Sequence, residues 1–273
     1  MMRLLEVAAL AVLLAGATAG CSRLTFVKPS SKMIRVSEQK SDYSVADSAA
    51  TKQRLKVQDR LALASQRLRS GDMVTAEREA RAALKAEPGS ADAYSLLGVI
   101  MDSQGKTAEA GGYYKRAAEL APANGGALNN YGAWLCTNGS PAEALVWFDR
   151  AIKDPRYATP ASALANAGGC ALKVGQYQRA ERDLHSALAL DPANSYALAS
   201  MAESEYHAGR YFEARAFTER RLAAAPANPA VLQLASNVEE RLGDKAAASR
   251  YVQRLRAEFP DSVPRTPGEK TKP

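Results

Sequence analysis

The residues best suited to chemistry in this chain are three cysteines, Cys21, Cys136 and Cys170, and two histidines, His185 and His207. A thiol can act as nucleophile, metal ligand, lipid acceptor or half of a disulfide. A catalytic or metal role needs partners at suitable spacing. The histidines fall in different segments, with no cysteine or acid at ligand spacing, and read as surface or groove residues. Gly125-Gly126 and Gly168-Gly169 do not form a phosphate-binding fingerprint. Glu239-Glu240 sits in a helix-surface pattern and reads as solvated. No nucleophile–base arrangement is visible, so the expectation is a binding protein with no catalytic residue, no cofactor and no metal. For Cys136 and Cys170 two readings stay open. In an exported chain they could form a disulfide, closing a loop worth about 4 kcal/mol in the chain-entropy model. They could equally be buried free thiols that simply pack.

The elements that position these residues repeat along the chain. Gly71, Gly105, Gly139, Gly175, Gly209 and Gly243 are separated by 34, 34, 36, 34 and 34 residues. Each is followed five residues later by alanine: Ala76, Ala110, Ala144, Ala180, Ala214 and Ala248. A closing proline recurs at Pro88, Pro122, Pro155, Pro192, Pro226 and Pro260. The glycine suits a left-handed helix end, the alanine a close helix contact, and the proline a helix stop. Caps are assigned to Ser140 ahead of Pro141, with Glu143 completing a capping box, and to Ser90, Thr159 and Asn228. A period of 34 residues with two helices per copy is the signature of the tetratricopeptide repeat. The fold class follows: all-α, a right-handed superhelical solenoid of six helix-turn-helix repeats over residues 54–260. Two extra residues at Asp154–Pro160 disturb the period between repeats three and four and read as a lengthened loop.

The ends differ in composition. Residues 1–20 have a charged start, an apolar run from Val7 to Ala15 and a small-residue stretch ahead of Cys21. The run is too short to span a bilayer and fits a secretory signal. Lipidation of Cys21 would anchor the chain; cleavage after Ala19 would instead release a soluble periplasmic protein. Residues 21–53 read as a flexible tether of roughly 30 Å reach. Residues 261–273 are rich in proline and charge and read as a disordered tail. The net charge of +7 is spread over all repeats among acids, which argues against nucleic acid as a partner.

The central block is more specific than the repeat. Asn129-Asn130-Tyr131-Gly132, Leu135-Cys136, Phe148, Ala151, Asp154-Pro155, Tyr157, Pro160, Asn166, Gly168 and Cys170 resemble the type IV pilus biogenesis/stability lipoprotein family (PilF/PilW type). The resemblance spans nearly the whole chain after Cys21. It implies an outer-membrane, lipid-anchored, non-catalytic protein of pilotin type. Such a protein would bind pilus secretin subunits, promote their multimerisation and support twitching motility. It also favours pairing of Cys136 with Cys170. By resemblance to repeat scaffolds, a partner would lie along the first helices of repeats, at Ser95, Val99, Asp102, Asn129, Asn130 and Ala133, and further along at Ala165, Gly169, Glu203, Tyr206 and Asn237. Repeats one to three, nearest the anchor, are the expected partner surface, with no small-molecule substrate. A general envelope scaffold recruiting peptidoglycan enzymes or proteases is the competing reading.

Overall fold

The structure, a computed structural model, describes residues 48–262. The signal segment 1–20, Cys21, the tether up to Asp47 and residues 263–273 lie outside the described residues.

Twelve α-helices and a closing 3-10 turn at Pro260–Ser262 make up the described residues. They pair as α1 (Ala49–Arg69) with α2 (Met73–Ala86), α3 (Ala91–Ser103) with α4 (Thr107–Leu120), and α5 (Gly125–Thr137) with α6 (Pro141–Ile152). The series continues with α7 (Pro160–Lys173) and α8 (Tyr177–Leu190), α9 (Ser195–His207) and α10 (Tyr211–Ala224), and α11 (Pro229–Leu242) and α12 (Lys245–Glu258). The first helices of successive repeats touch one another in a row from α1 to α11, whereas the second helices make no comparable contact among themselves. The result is a superhelical stack with the odd-numbered helices as its inner wall. No helix among the described residues is long and apolar enough to cross a membrane.

Each hairpin closes in the same way. All six recurrent glycines have positive φ, between 71° and 92°. In every copy the N–H of the next residue donates to the carbonyl five residues back, as Ser140 does to Leu135 at 2.9 Å and Asp244 to Glu239 at 3.0 Å. This is the bond pattern of a left-handed helix cap. The six recurrent alanines are buried. Volume is matched across each hairpin. A Cβ on Gly98, Gly132 or Gly168 would come within 2.6, 2.8 and 2.5 Å of Tyr114, Phe148 and Leu184. Where alanine or serine replaces that glycine, in repeats one, five and six, the residue in register on the second helix is smaller: Ala80, Thr218 or Val252.

Several details differ from the sequence expectations. The helical domain begins five residues earlier than residue 54, because Ser48 Oγ accepts the Thr51 N–H at 3.1 Å and starts α1 at Ala49. Ser140 and Thr159 do not cap with their side chains. Their ψ values of 51° and 58° turn a short hydroxyl away from the helix start. Ser90 and Asn228, at ψ 101° and 166°, do cap. The longer Asp72 and Asp244 side chains also reach, at ψ 75° and 78°. Glu239 is not solvated: it is 4 % exposed and accepts two hydrogen bonds from the Arg215 guanidinium of α10. Burial of a carboxylate requires such a partner.

The lengthened loop is a structural clamp. Asp154 Oδ2 accepts the N–H of Gly125, the first residue of α5, at 2.9 Å, and Oδ1 accepts the Arg156 N–H at 3.0 Å. The side chain of Tyr157 covers the same helix start so closely that a Cβ on Gly125 would lie 2.6 Å from it. Three links join α5 to α7, one of them the Lys173 Nζ hydrogen bond to the Cys136 carbonyl at 3.4 Å. Cys136 and Cys170 form a disulfide with Cα atoms 5.9 Å apart, and Asn166 Nδ2 donates to Asn129 Oδ1 at 3.0 Å.

Candidate protein-binding groove

The inner wall presents side chains at three positions of each odd-numbered helix, about one turn apart. On α3 this face carries half-buried Ser95 and Val99, then exposed Asp102 near the helix end. On α5 Ala133 stands in register with Val99, both half-buried and packed against the core, while the half-buried Asn130 is in register with Leu96. Asn129 is withdrawn from this face, contrary to its assignment as a groove residue. It is 8 % exposed and holds α5 to α7 through Asn166, since a buried amide must find a hydrogen-bond partner.

The aromatic residues of repeat three are also engaged within the fold. The Trp134 indole N–H donates to the Thr107 carbonyl at 2.9 Å, and its ring occupies the space a Cβ on Gly111 would need. Tyr131 meets Trp147 edge-on at 4.9 Å, and the Arg150 guanidinium covers Trp147 at 4.5 Å. Trp147 is therefore half-buried packing rather than a bare anchor.

A deeper groove lies further along the wall, between α7, α8 and α9, with a volume of about 690 Å³. Its floor includes Gly169 and Leu172 of α7 and Met201 of α9. Tyr196 crosses it from α9. A Cβ on Gly169 would stand 2.5 Å from the Tyr196 hydroxyl oxygen, so glycine is what allows the ring to lie there. Tyr177 on α8 is 69 % exposed and Tyr196 45 % exposed. Of the groove residues expected from sequence, Gly169 and Glu203 line this cavity.

The charges of the groove are unequal. Glu181, Glu203 and Glu205 face Lys173 and Arg210, three carboxylates against two cations, a net of −1 with His207 neutral. The cations are engaged: Arg210 pairs with Glu205, and Lys173 Nζ donates to the Cys136 carbonyl at 3.4 Å. Glu203 does lie one turn from His207, with 3.9 Å between carboxylate and imidazole, so this histidine has an acidic neighbour that the spacing argument overlooked. His185 is exposed on α8. Among the described residues no three potential ligands converge as a metal site. The groove thus offers aromatic faces, a small apolar floor and carboxylates, which are means of recognition. Tyr177 and Tyr196 escaped the sequence reading. The signal available was the Gly168-Gly169 pair: the first glycine makes room for Leu184 within its own repeat, the second for Tyr196 of the next.

Comparison with known proteins agrees with this architecture. Tetratricopeptide-repeat family models match residues 61–125, 103–163 and 171–238, together more than half of the chain. The type IV pilus assembly protein PilF of Pseudomonas aeruginosa is 25 % identical over 196 residues, 72 % of this chain and 78 % of that protein. The crystal structure of PilW, a widely conserved type IV pilus biogenesis factor, superposes with a TM-score of 0.67 at 29 % identity, over 75 % of this chain and 94 % of that one. The structure of Pseudomonas aeruginosa PilF gives a TM-score of 0.66 at 23 % identity, over 77 % of this chain and 95 % of that one, a likeness of fold. This chain belongs to the tetratricopeptide-repeat family and is homologous to the type IV pilus assembly protein PilF.

Proposed function

We propose that this chain is a non-catalytic scaffold of type IV pilus biogenesis, anchored to the periplasmic face of the outer membrane through lipid on Cys21. It binds pilus secretin subunits along its inner wall and promotes their localisation and multimerisation, and pilus-driven twitching motility depends on it. The observation that supports this reading is the likeness to PilW, which extends over 94 % of that crystallised chain rather than one or two repeats. The residues behind the resemblance support it further. Asn129, Cys136, Asp154, Asn166 and Cys170 all join elements at the junction of repeats three and four, so they mark an individual architecture within a common fold. Ser95, Val99, Asp102, Asn130 and Ala133 are the wall residues of repeats two and three offered to the partner.

The test is the assembly state of the pilus secretin in outer membranes, read by immunoblot as detergent-resistant multimer against monomer. Deletion of the gene should convert multimer to monomer and abolish twitching, and Cys21→Ala should mislocalise the remaining assembly. Normal multimer and pili in the deletion, with altered cell shape, would replace this reading with a general envelope scaffold.

A further inference from the structure

We propose that the groove between α7, α8 and α9 binds an extended segment of a protein partner in which a lysine or arginine stands next to an apolar side chain. This rests on reading the chain as a binding scaffold, and it adds a recognition site in repeats four and five to the wall residues of repeats two and three.

Two exposed tyrosine rings face one groove, whereas Tyr114, Tyr131 and Phe148 are buried in the stack. Exposed aromatics gathered in a concavity mark recognition surfaces, because they supply large contact area with few rotamers to immobilise. The volume of about 690 Å³ lies within the range of ligand-binding clefts. Gly169 gives Tyr196 its seat, so the ring is held across the groove rather than free.

Charge selects among partners. Arg210 is held by Glu205 and Lys173 is turned to the Cys136 carbonyl, so the exposed Glu181 and Glu203, the latter 3.9 Å from the His207 imidazole, are the carboxylates open to an incoming cation. Tyr196 and Glu203 are seven residues apart on α9, two turns along one face. The two positions are about 10 Å apart along the helix, so an extended segment can set a guanidinium or ammonium against Glu203 while a neighbouring residue lies on the Tyr196 ring. The apolar neighbour of that cation fits the Leu172 and Met201 floor. An acidic segment is repelled by the same groove, although the chain as a whole carries +7.

The test is fluorescence anisotropy of the chain from Cys21 to Pro273 with three fluorescein-labelled peptides: one alternating leucine and arginine, one with glutamate for arginine, and one with serine for leucine. The leucine–arginine peptide should bind about tenfold more tightly than either companion at low salt. The double variant Glu181→Gln/Glu203→Gln, both positions exposed, should lose about tenfold for that peptide and most of its salt dependence. Tyr196→Ala should weaken the binding with circular dichroism unchanged. Equal binding of the acidic companion, or unchanged affinity in the glutamine double variant, would overturn the proposal. So would a gain of about tenfold on removing residues 22–47, because the chain's own segment would then be the occupant. The secretin immunoblot reads the pilus role and the peptide series reads the groove, so either can fail while the other stands.

Discussion

Asp154, in the loop after α6, accepts the backbone N–H of Gly125 from 29 residues away, at 2.9 Å, and so caps the start of α5. The Gly125 and Arg156 N–H groups hold its carboxyl below the ordinary aspartate range. A carboxylate with a depressed folded-state pKa contributes stability that is present above its unfolded value, about 3.9, and is lost as pH falls through the folded value. Asp154→Ala should therefore lower the thermal midpoint at neutral pH. The gap from wild type should close as pH drops below about 4. Calorimetry across that window checks both statements.

Adjacent glycines on α4 should respond oppositely to the same change. A Cβ on Gly111 would sit 2.2 Å from the Trp134 ring, whereas Gly112 has nothing within 4 Å. Gly111→Ala should destabilise by about 1–3 kcal/mol through overpacking. Gly112→Ala, exposed in mid-helix, should stabilise by roughly 0.5–1 kcal/mol. Urea unfolding followed by tryptophan fluorescence separates the two.

Removing the disulfide tests the centre of the stack. The cysteines are 34 residues apart in sequence, and a loop of that size is worth about 4 kcal/mol in the chain-entropy model. Cys136→Ser/Cys170→Ser should lower the unfolding midpoint, and a reducing agent should do the same to the wild type but leave the double variant unchanged.

Glu239→Ala should destabilise by about 2 kcal/mol, because it strands the Arg215 guanidinium and removes two charge-assisted hydrogen bonds. Replacing both residues with leucine should recover much of the loss, since an apolar pair needs no compensating partner. Thermal melts of the single and double variants form the comparison.

What could be read in the sequence was what repeats. Gly139 and its five counterparts announce six turns because only glycine tolerates that conformation cheaply, and all six are left-handed in the structure. Non-repeating features were harder. Asp154 looks like loop, because nothing in a linear chain connects it with Gly125. Glu239 looks solvated, because its half-buried partner Arg215 belongs to the preceding helix pair. Ser140 has the residue type of a cap but not the ψ angle, which the tight glycine turn sets. Asn129 stands at a groove position by register, yet Asn166 draws it into the interior. Tyr196 is an ordinary tyrosine until Gly169 is seen beneath it.

Because each helix touches only its near neighbours in sequence, the stack behaves as a one-dimensional chain of coupled units. Such a chain folds through local contacts and loosens by unzipping from its ends. The covalent link between α5 and α7 sits at the midpoint of that chain. An opening that starts at α12 or at α1 meets a crosslink before it can run through, so the two halves can breathe separately while the molecule as a whole keeps its register.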